Sequence, residues 1–411
     1  MIYTEKIKIK PNKILENRLI LLCNNSRFIY NFLLSESKKY KKELKEIVPM
    51  KEITNYRKKY RLLVSESRMY DKYGEIYDDE FQKILKSTPS QIVDKECEFL
   101  KKAWDDTIEF IKKNEKAKKP KSLEKIHTSP VFKKINKDKM SFTIHRKNET
   151  NFKIDKNILK ISKMEFKISK CRFIKLIDPS KDIKLITITK SNYGWYLSIC
   201  IEIPNNVFSR NLTHKEVGID WGVSKFATDS DGNYYSFKDE DNYKKYLKME
   251  KRIKKLNKIL SNKKNKNYNW YKSNRYMKLR NKISKLYESM ANIRRNFIHH
   301  VSKYYLMNYD SIVIEDIKSS NMMKNHKLAR SIAESMFYTW KVILTYKSLW
   351  YGNNLSLVSP RNTSQKCSSC GNIKTGDDKL QLKEKVYKCN NCGLEMDRDY
   401  NASINILNKS K

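Results

Sequence analysis

Four cysteines and a handful of acids carry the chemistry that this sequence suggests. CSSCG at 367–371 and CNNCG at 389–393 form two C-x2-C pairs with eighteen residues between them. Each pair ends in glycine, which allows the backbone to turn its amides back toward the sulfurs. Four thiolates fill a tetrahedral site completely. Cys367, Cys370, Cys389 and Cys392 therefore predict one structural Zn²⁺ and no open catalytic position. The alternatives are a pair of disulfides or an emptied, degenerate ribbon, and the cytoplasmic setting and four intact cysteines argue against both.

The acids lie at the ends of apolar runs. Asp220 follows the apolar end of EVGID, Glu315 closes SIVIE, and Asp397 and Asp399 flank the start of a final helical pattern, MDRDYNASINI. Carboxylates that converge repel one another unless a cation neutralises them. Two Mg²⁺ ions roughly 3.5–4 Å apart could activate water and stabilise the leaving oxygen of a phosphodiester. Each acid also has a plainer reading: Asp220 as a turn residue, Glu315 as a surface acid, Asp399 as a helix N-cap. The spacing alone does not choose between Asp397 and Asp399.

The elements that must hold these groups can be read from periodicity. Residues 2–9 alternate as a strand. Pro11 and Asn12 open a helical pattern that continues, with interruptions, to about residue 115. Ser87–Ser90 reads as a break, and Ser90 as the cap of the next helix. Residues 111–140 are lysine-dense and read as a linker or a phosphate-facing loop. From about residue 140 the period is two, and LITITK-SNYG-WYLSICIEI is a hairpin turning near Gly194. The isolated first strand is expected to pair here, which makes the helical block an insertion.

From about residue 206 a third block begins. EVGIDW is a strand, KFATDSDGNYYSF a hairpin turning at Asp231-Gly232, and two long amphipathic helical patterns follow. SIVIEDI is a buried-type strand, 328–351 is helical, NLSLVS is a strand, and the cysteines precede the last helix. Strand, hairpin, strand and late helix, with acids at the strand ends, is the layout of an RNase H-like fold. Cys23, Cys97, Cys171 and Cys200 stand alone and read as small buried residues.

The charge points to a partner. Among 411 residues, 87 Lys and Arg face 46 Asp and Glu, a net charge of +41. Such self-repulsion is relieved by a polyanion, and nucleic acid is the obvious one. No stretch approaches the ~20 apolar residues that span a bilayer. MIYTEKIKIK lacks the apolar core of a signal peptide. The expected setting is cytoplasmic, associated with the nucleoid and away from membranes.

GIDWGVSKFAT, RRNFIHHVS, IVIEDI, LTYKSLWYG, TSQKCSSCG and DRDYNASINIL, in that order, resemble TnpB, the transposon-encoded RNA-guided nuclease family related to miniature type V CRISPR effectors. SRFIYNFLL, STPSQ and PVFKKINKDKMSFTI resemble it more weakly. The resemblance implies a multidomain α+β protein. Residues 1–10 and 120–205 would form a split β-barrel wedge domain, and 11–119 an inserted helical recognition lobe. Residues 206–411 would form an RNase H-like (RuvC) α/β nuclease domain carrying a four-cysteine zinc ribbon at 360–396. It implies Asp220, Glu315 and Asp399 as catalytic Mg²⁺ ligands, since in DYNA the acid precedes x-Asn-Ala, with Asn401 holding the last turn. It also implies a guide RNA from the transposon end and target double-stranded DNA as partners. Ser90, Gln91, Lys133 and Lys134 are the candidates for nucleic-acid contact. The expected activity is RNA-guided, two-metal cleavage of DNA beside a short motif. The alternatives are a miniature CRISPR effector or a non-cleaving RNA-guided regulator. A monomer is favoured over an oligomer. Trp221 stands where the family has an aliphatic residue, and Ser403 where a second alanine is common.

Overall fold

The computed structural model describes residues 2–44, 83–84, 87–116, 130–134, 139–146, 152–155, 158–161, 164–167, 183–202, 208, 210–222, 225–266, 273–317, 337–381 and 384–410. Among the expectations above, the helical reading of 45–82 and 328–336, most of the lysine-rich stretch at 117–138, and Cys171 lie outside the described residues. The chain divides into two units, Met1–Ile203 and Pro204–Lys411.

In the first unit, β1 (Ile2–Ile9) is followed by the helices α1 (Lys13–Leu44) and α2 (Ser90–Glu115). Then come β2 (Ser141–His145), β3 (Phe152–Asp155), β4 (Ile158–Ile161), β5 (Met164–Lys167), β6 (Ile183–Ser191) and β7 (Gly194–Glu202). β6 and β7 form the hairpin, with Gly194 at φ +119°, a conformation that favours glycine. β1 pairs antiparallel with β7 from Ile2 opposite Glu202 to Ile9 opposite Trp195. The strand order is β1-β7-β6-β2, and β3-β4-β5 form a separate antiparallel sheet. Two antiparallel sheets thus stand where a split barrel is expected. α1 and α2 pack through Ile29, Leu33, Leu34, Cys97, Leu100 and Trp104. Ser90 does not cap α2. Extended backbone at Pro89 occupies the cap position without a side-chain bond, and Ser90 is already helical. Cys23, Cys97 and Cys200 are buried free thiols.

The second unit is built on a five-stranded sheet of order β10-β9-β8-β11-β12. Its strands are β8 (Glu216–Trp221), β9 (Ala227–Asp229), β10 (Tyr234–Tyr235), β11 (Ser311–Glu315) and β12 (Asn354–Val358). β8, β9 and β10 run antiparallel, while β11 lies parallel to both β8 and β12. Parallel neighbours need long crossovers. α3 (Tyr243–Lys266) and α4 (Asn274–Asn308) lie between β8 and β11, and α5 (Phe337–Tyr351) between β11 and β12. Two short strands, β13 (Val386–Lys388) and β14 (Glu395–Asp397), pair antiparallel just before α6 (Arg398–Asn408).

Strand alternation assigns the two faces of this sheet. Val217, Ile219, Trp221, Ile312 and Ile314 pack with Phe297, Val301, Tyr305, Phe337 and Trp340 of α4 and α5. Trp221 packs tilted against Phe337, ring centroids 4.6 Å apart, which is how the face accommodates an indole at a position expected to be aliphatic. The opposite face therefore carries Gly218 and Asp220 from β8, with Val313 and Glu315 from β11. α6 covers that face at Gly218, where Ser403 and Leu407 come so close that no Cβ would fit between strand and helix. Ser403 is fully buried there and turns its hydroxyl back to Tyr400 O at 2.7 Å. No helix among the described residues is long and apolar enough to cross a membrane.

Candidate functional site

Parallel pairing sets the acids side by side. Val313 lies opposite Gly218 and Ile314 opposite Ile219. One residue further along come Glu315 and Asp220, at the ends of adjacent strands and on the face that α6 covers. Asp310 supports this register from the other end. It accepts hydrogen bonds from Arg210 Nη1 and from the amides of Thr213 and His214, tying the lead-in of β8 to that of β11.

Burial raises the Asp220 carboxyl well above its ordinary range, and the nearby charges of Glu315 and Asp399 raise it further. Arg398 opposes them. Glu315 is 7% exposed, and burial raises it too, against a hydrogen bond from Thr363 Oγ1 to its Oε1 at 2.5 Å. Asp399 is the second residue of α6, with its side chain 13% exposed. The structure thus brings Glu315 and Asp399 within electrostatic reach of Asp220.

Asp397 and Asp399 are separated by the geometry of the helix start. Asp397, not Asp399, is the N-cap of α6: its Oδ1 accepts from the amides of Asp399 at 2.9 Å and Tyr400 at 3.1 Å. Its Oδ2 accepts from Lys225 Nζ at 2.8 Å. Burial works against the Asp397 charge, but Lys225 and the two amides hold its carboxyl below the usual value. Asp397→Ala is expected to lower the stability of this unit by about 1 kcal/mol, with Asp397→Asn costing less, because asparagine also caps but gives up the Lys225 pair. Urea unfolding of the two variants checks this.

The four cysteine sulfurs lie within 4.8 Å of one another, the one such group of metal-ligand atoms found among the described residues. Cys370 and Cys389 sulfurs are 3.5 Å apart, and those of Cys367 and Cys392 3.7 Å. Zn–S bonds of ~2.3 Å in tetrahedral array place sulfurs roughly 3.8 Å apart, so the donor set fits this ion. The two turns are built alike. Cys367 N donates to Asn372 O and Cys389 N to Leu394 O, both at 2.8 Å, while Gly371 and Gly393 adopt φ of +78° and +71°. The Asn372 amide and the Asn391 side chain lower the Cys370 thiol to about 6.

Asn401 corrects the sequence reading. It does not hold the last turn of its own helix. Its Oδ1 accepts from Ser368 N at 2.9 Å and its Nδ2 donates to Lys366 O at 2.8 Å, so it grips the first cysteine turn. Thr363, Lys225 and Asn405 also border the site, and the sequence singles out none of them. Their partners lie tens of residues away, where periodicity carries no signal.

The nucleic-acid candidates fall in the first unit. Ser90 and Gln91 begin α2, with Ser90 exposed. Lys133 is committed inward: its Nζ lies 2.7 Å from the buried Glu96 carboxylate and 4.1 Å from the centre of the Tyr30 ring. Lys134 is exposed.

A strand-end acid set beside a four-sulfur cluster has relatives. Residues 198–326 match the family model described as "Probable transposase", and residues 337–406 match "Cas12f1-like, TNB domain". The chain is 32% identical over 240 residues to "Putative RNA-guided DNA endonuclease InsQ" of Escherichia coli K12, covering 55% of this chain and 56% of that protein. It is 30% identical over 129 residues to "CRISPR-associated endodeoxyribonuclease Cas12f1" of Sulfoacidibacillus thermotolerans, covering 30% of this chain and 29% of that protein. A solved structure of a Cas12f1-sgRNA-target DNA complex aligns over 100% of this chain and 99% of that one, at 16% identity and a TM-score of 0.47. The resemblance to TnpB read from the sequence holds. The chain spans about half the length of the first curated relatives it matches, 56% and 52%.

Proposed function

We propose that this protein is an RNA-guided DNA endonuclease of the TnpB kind, cutting double-stranded DNA beside a short target-adjacent motif. The reading is supported above all by Glu315 and Asp399 standing within electrostatic reach of Asp220, in a chain of net charge +41. The relatives' printed names support the same reading.

In this reading residues 206–411 form a RuvC-like domain in which Asp220, Glu315 and Asp399 hold two Mg²⁺. When bound, these ions supply an activated water and charge stabilisation for the leaving oxygen. The chain's own part is to gather carboxylates that repel one another and to fix each on a rigid element: two strand ends and one helix start. Asp397 fixes that helix start by capping it, which leaves Asp399 available to the site. Cys367, Cys370, Cys389 and Cys392 hold one structural Zn²⁺ in the ribbon at 360–396.

Residues 1–10 and 120–205 serve as the wedge domain, with 11–119 as the recognition lobe. Guide pairing supplies sequence specificity, and the protein holds the heteroduplex by its backbone. The lysine-rich stretches 244–282 and 111–140 suit phosphate tracking. Ser90, Gln91 and Lys134 remain the contact candidates, while the Lys133 ammonium is paired with Glu96. The match to the Cas12f1-like domain also supports a kindred reading, a miniature type V effector. A CRISPR array beside the gene, in place of a transposon end, would select it.

The test is to co-express the protein with its native flanking DNA, purify it and sequence the bound RNA. The expected result is one discrete RNA whose end is complementary to DNA outside the element. With that guide, double-stranded targets should be cut in Mg²⁺ and left intact when Mg²⁺ is omitted. Heterogeneous cellular RNA with no guided cutting would sink the reading.

A further inference from the structure

A continuous path of buried and part-buried hydrogen bonds joins Glu315 to the first cysteine turn. It starts at Thr363, which is 3% exposed and donates its hydroxyl to Glu315 Oε1 at 2.5 Å, with Pro360 O a longer neighbour at 3.2 Å. The Thr363 carbonyl accepts from Asn405 Nδ2 at 3.0 Å, and the same amide reaches Lys366 O at 2.6 Å. Lys366 O also accepts from Asn401 Nδ2 at 2.8 Å, and Asn401 Oδ1 takes the Ser368 amide at 2.9 Å. Ser368 sits inside the Cys367–Cys370 turn.

The chemistry of this path is specific. Asn401 and Asn405 are 0% and 3% exposed and four residues apart, so both project from one side of α6. A buried amide that loses its partner is left with an unmet hydrogen bond, so each side chain holds its acceptor firmly. Immediately before Thr363 the backbone turns through Asn362, whose φ of +61° is uncommon outside glycine. That turn is closed by the Gln365 and Lys366 amides on Asn362 O. The segment 362–368 is therefore a stiff link with the cysteine turn at one end and the Glu315 carboxylate at the other. Emptying a four-thiolate site removes much of what folds a small ribbon. Ser368 would then no longer be fixed, and the asparagines would lose the partners that place Thr363.

We propose that Thr363 is a positioning residue for Glu315, and that Asn401 and Asn405 make this positioning depend on a filled sulfur cluster. The inference rests on the reading of Glu315 as a metal ligand. In consequence the zinc ribbon acts on the cutting site and not only on its own fold.

The experiment uses the full chain and Mn²⁺, an oxygen-preferring probe visible by electron paramagnetic resonance. Thr363→Val keeps the shape and removes the hydroxyl; Thr363→Ser keeps the hydroxyl. Valine is expected to weaken Mn²⁺ binding roughly tenfold, as loss of a bond to a metal-ligating carboxylate does. Serine is expected to restore it to within about twofold. Zinc content by elemental analysis should stay at one per chain in both. Protein stripped of zinc and freed of chelator should show the weakened binding of the valine variant, with faster hydrogen exchange at 363–368 and in the first turns of α6. Parent-like Mn²⁺ affinity in Thr363→Val overturns the positioning role, and parent-like affinity in the stripped protein overturns the dependence on the cluster. Asp220→Ala separates the two layers of argument. If it leaves Mn²⁺ binding unchanged, the metal reading of the acids fails and takes this inference with it.

Discussion

Asp220→Asn is expected to reduce guided cleavage by about 10³-fold or more, and to make the Pro204–Lys411 unit more stable in the absence of divalent cations. The first effect follows from losing one of three ligands whose ions contribute several kcal/mol to the transition state. The second follows from the electrostatics. Burial and the charges of Glu315 and Asp399 raise the Asp220 carboxyl well above its ordinary value of 3.8. A group whose folded pKa lies above its unfolded one binds its proton more tightly in the folded state. Its contribution to stability is full below the unfolded value and is lost as pH rises through the folded one. Asparagine carries no such loss. The gain of the variant over the parent should therefore be absent near pH 3 and grow as pH rises above 3.8 toward the raised value. A gain of about 1 kcal/mol moves Tm by roughly 2–4 °C in a unit of this size. Mg²⁺ should close the gap by stabilising the parent alone. Thermal unfolding from about pH 4 to 8, with and without Mg²⁺, checks this. A variant less stable than the parent at neutral pH without Mg²⁺ would mean that the acids are not in conflict.

The same comparison shows what a reader of the sequence can reach. Asp220 and Glu315 stand out because each ends an apolar run, and strand ends are visible in a period-two pattern. Their adjacency is also within reach, because parallel pairing of two buried-type strands leaves few registers. The choice between Asp397 and Asp399 is not. They are two residues apart at a helix start, and only the extended backbone of Asp397, φ −57° and ψ 134°, turns its side chain into the cap. Lys133 shows the opposite difficulty. Its charge draws it into the nucleic-acid set, while the acid that claims it, Glu96, lies 37 residues earlier on another element. Charge counting finds a basic chain but cannot say which cations are already taken.

Pairings between distant segments divide along similar lines. β1 can be assigned to the later strands by elimination, since an isolated strand with inward Glu5, Ile7 and Ile9 must find an edge. The asparagines of α6 cannot be assigned, because NASIN reads as an ordinary amphipathic turn until the cysteine turn is seen beside it. Gly218 belongs with these. In the sequence it is only the first residue of a GID triplet, in a strand that would gain from a side chain.

Gly218→Ala is expected to destabilise the second unit by about 3 kcal/mol, near the upper end for overpacking a core. Built on the existing backbone, the new Cβ would lie 2.3 Å from Ser403 O, 2.6 Å from Leu407 N and 2.8 Å from Leu407 Cβ. The first two are helix backbone atoms and cannot rotate away, so α6 itself must lift from β8. That lift carries Asp399 away from Asp220 and Glu315, and a misplacement of about 1 Å can cost roughly 10²-fold in rate. The expected outcome is a Tm lower by about 6–12 °C, with guided cleavage falling further than the loss of folded protein at the assay temperature explains. Gly376→Ala supplies the control. Gly376 has φ +60° but nothing within 4 Å of its Cβ position, so it should cost only the ~1–2 kcal/mol of a left-handed residue and leave cleavage intact. If Gly218→Ala matched Gly376→Ala in both stability and cleavage, α6 would be free to ride over β8, and the third acid would not owe its place to this contact.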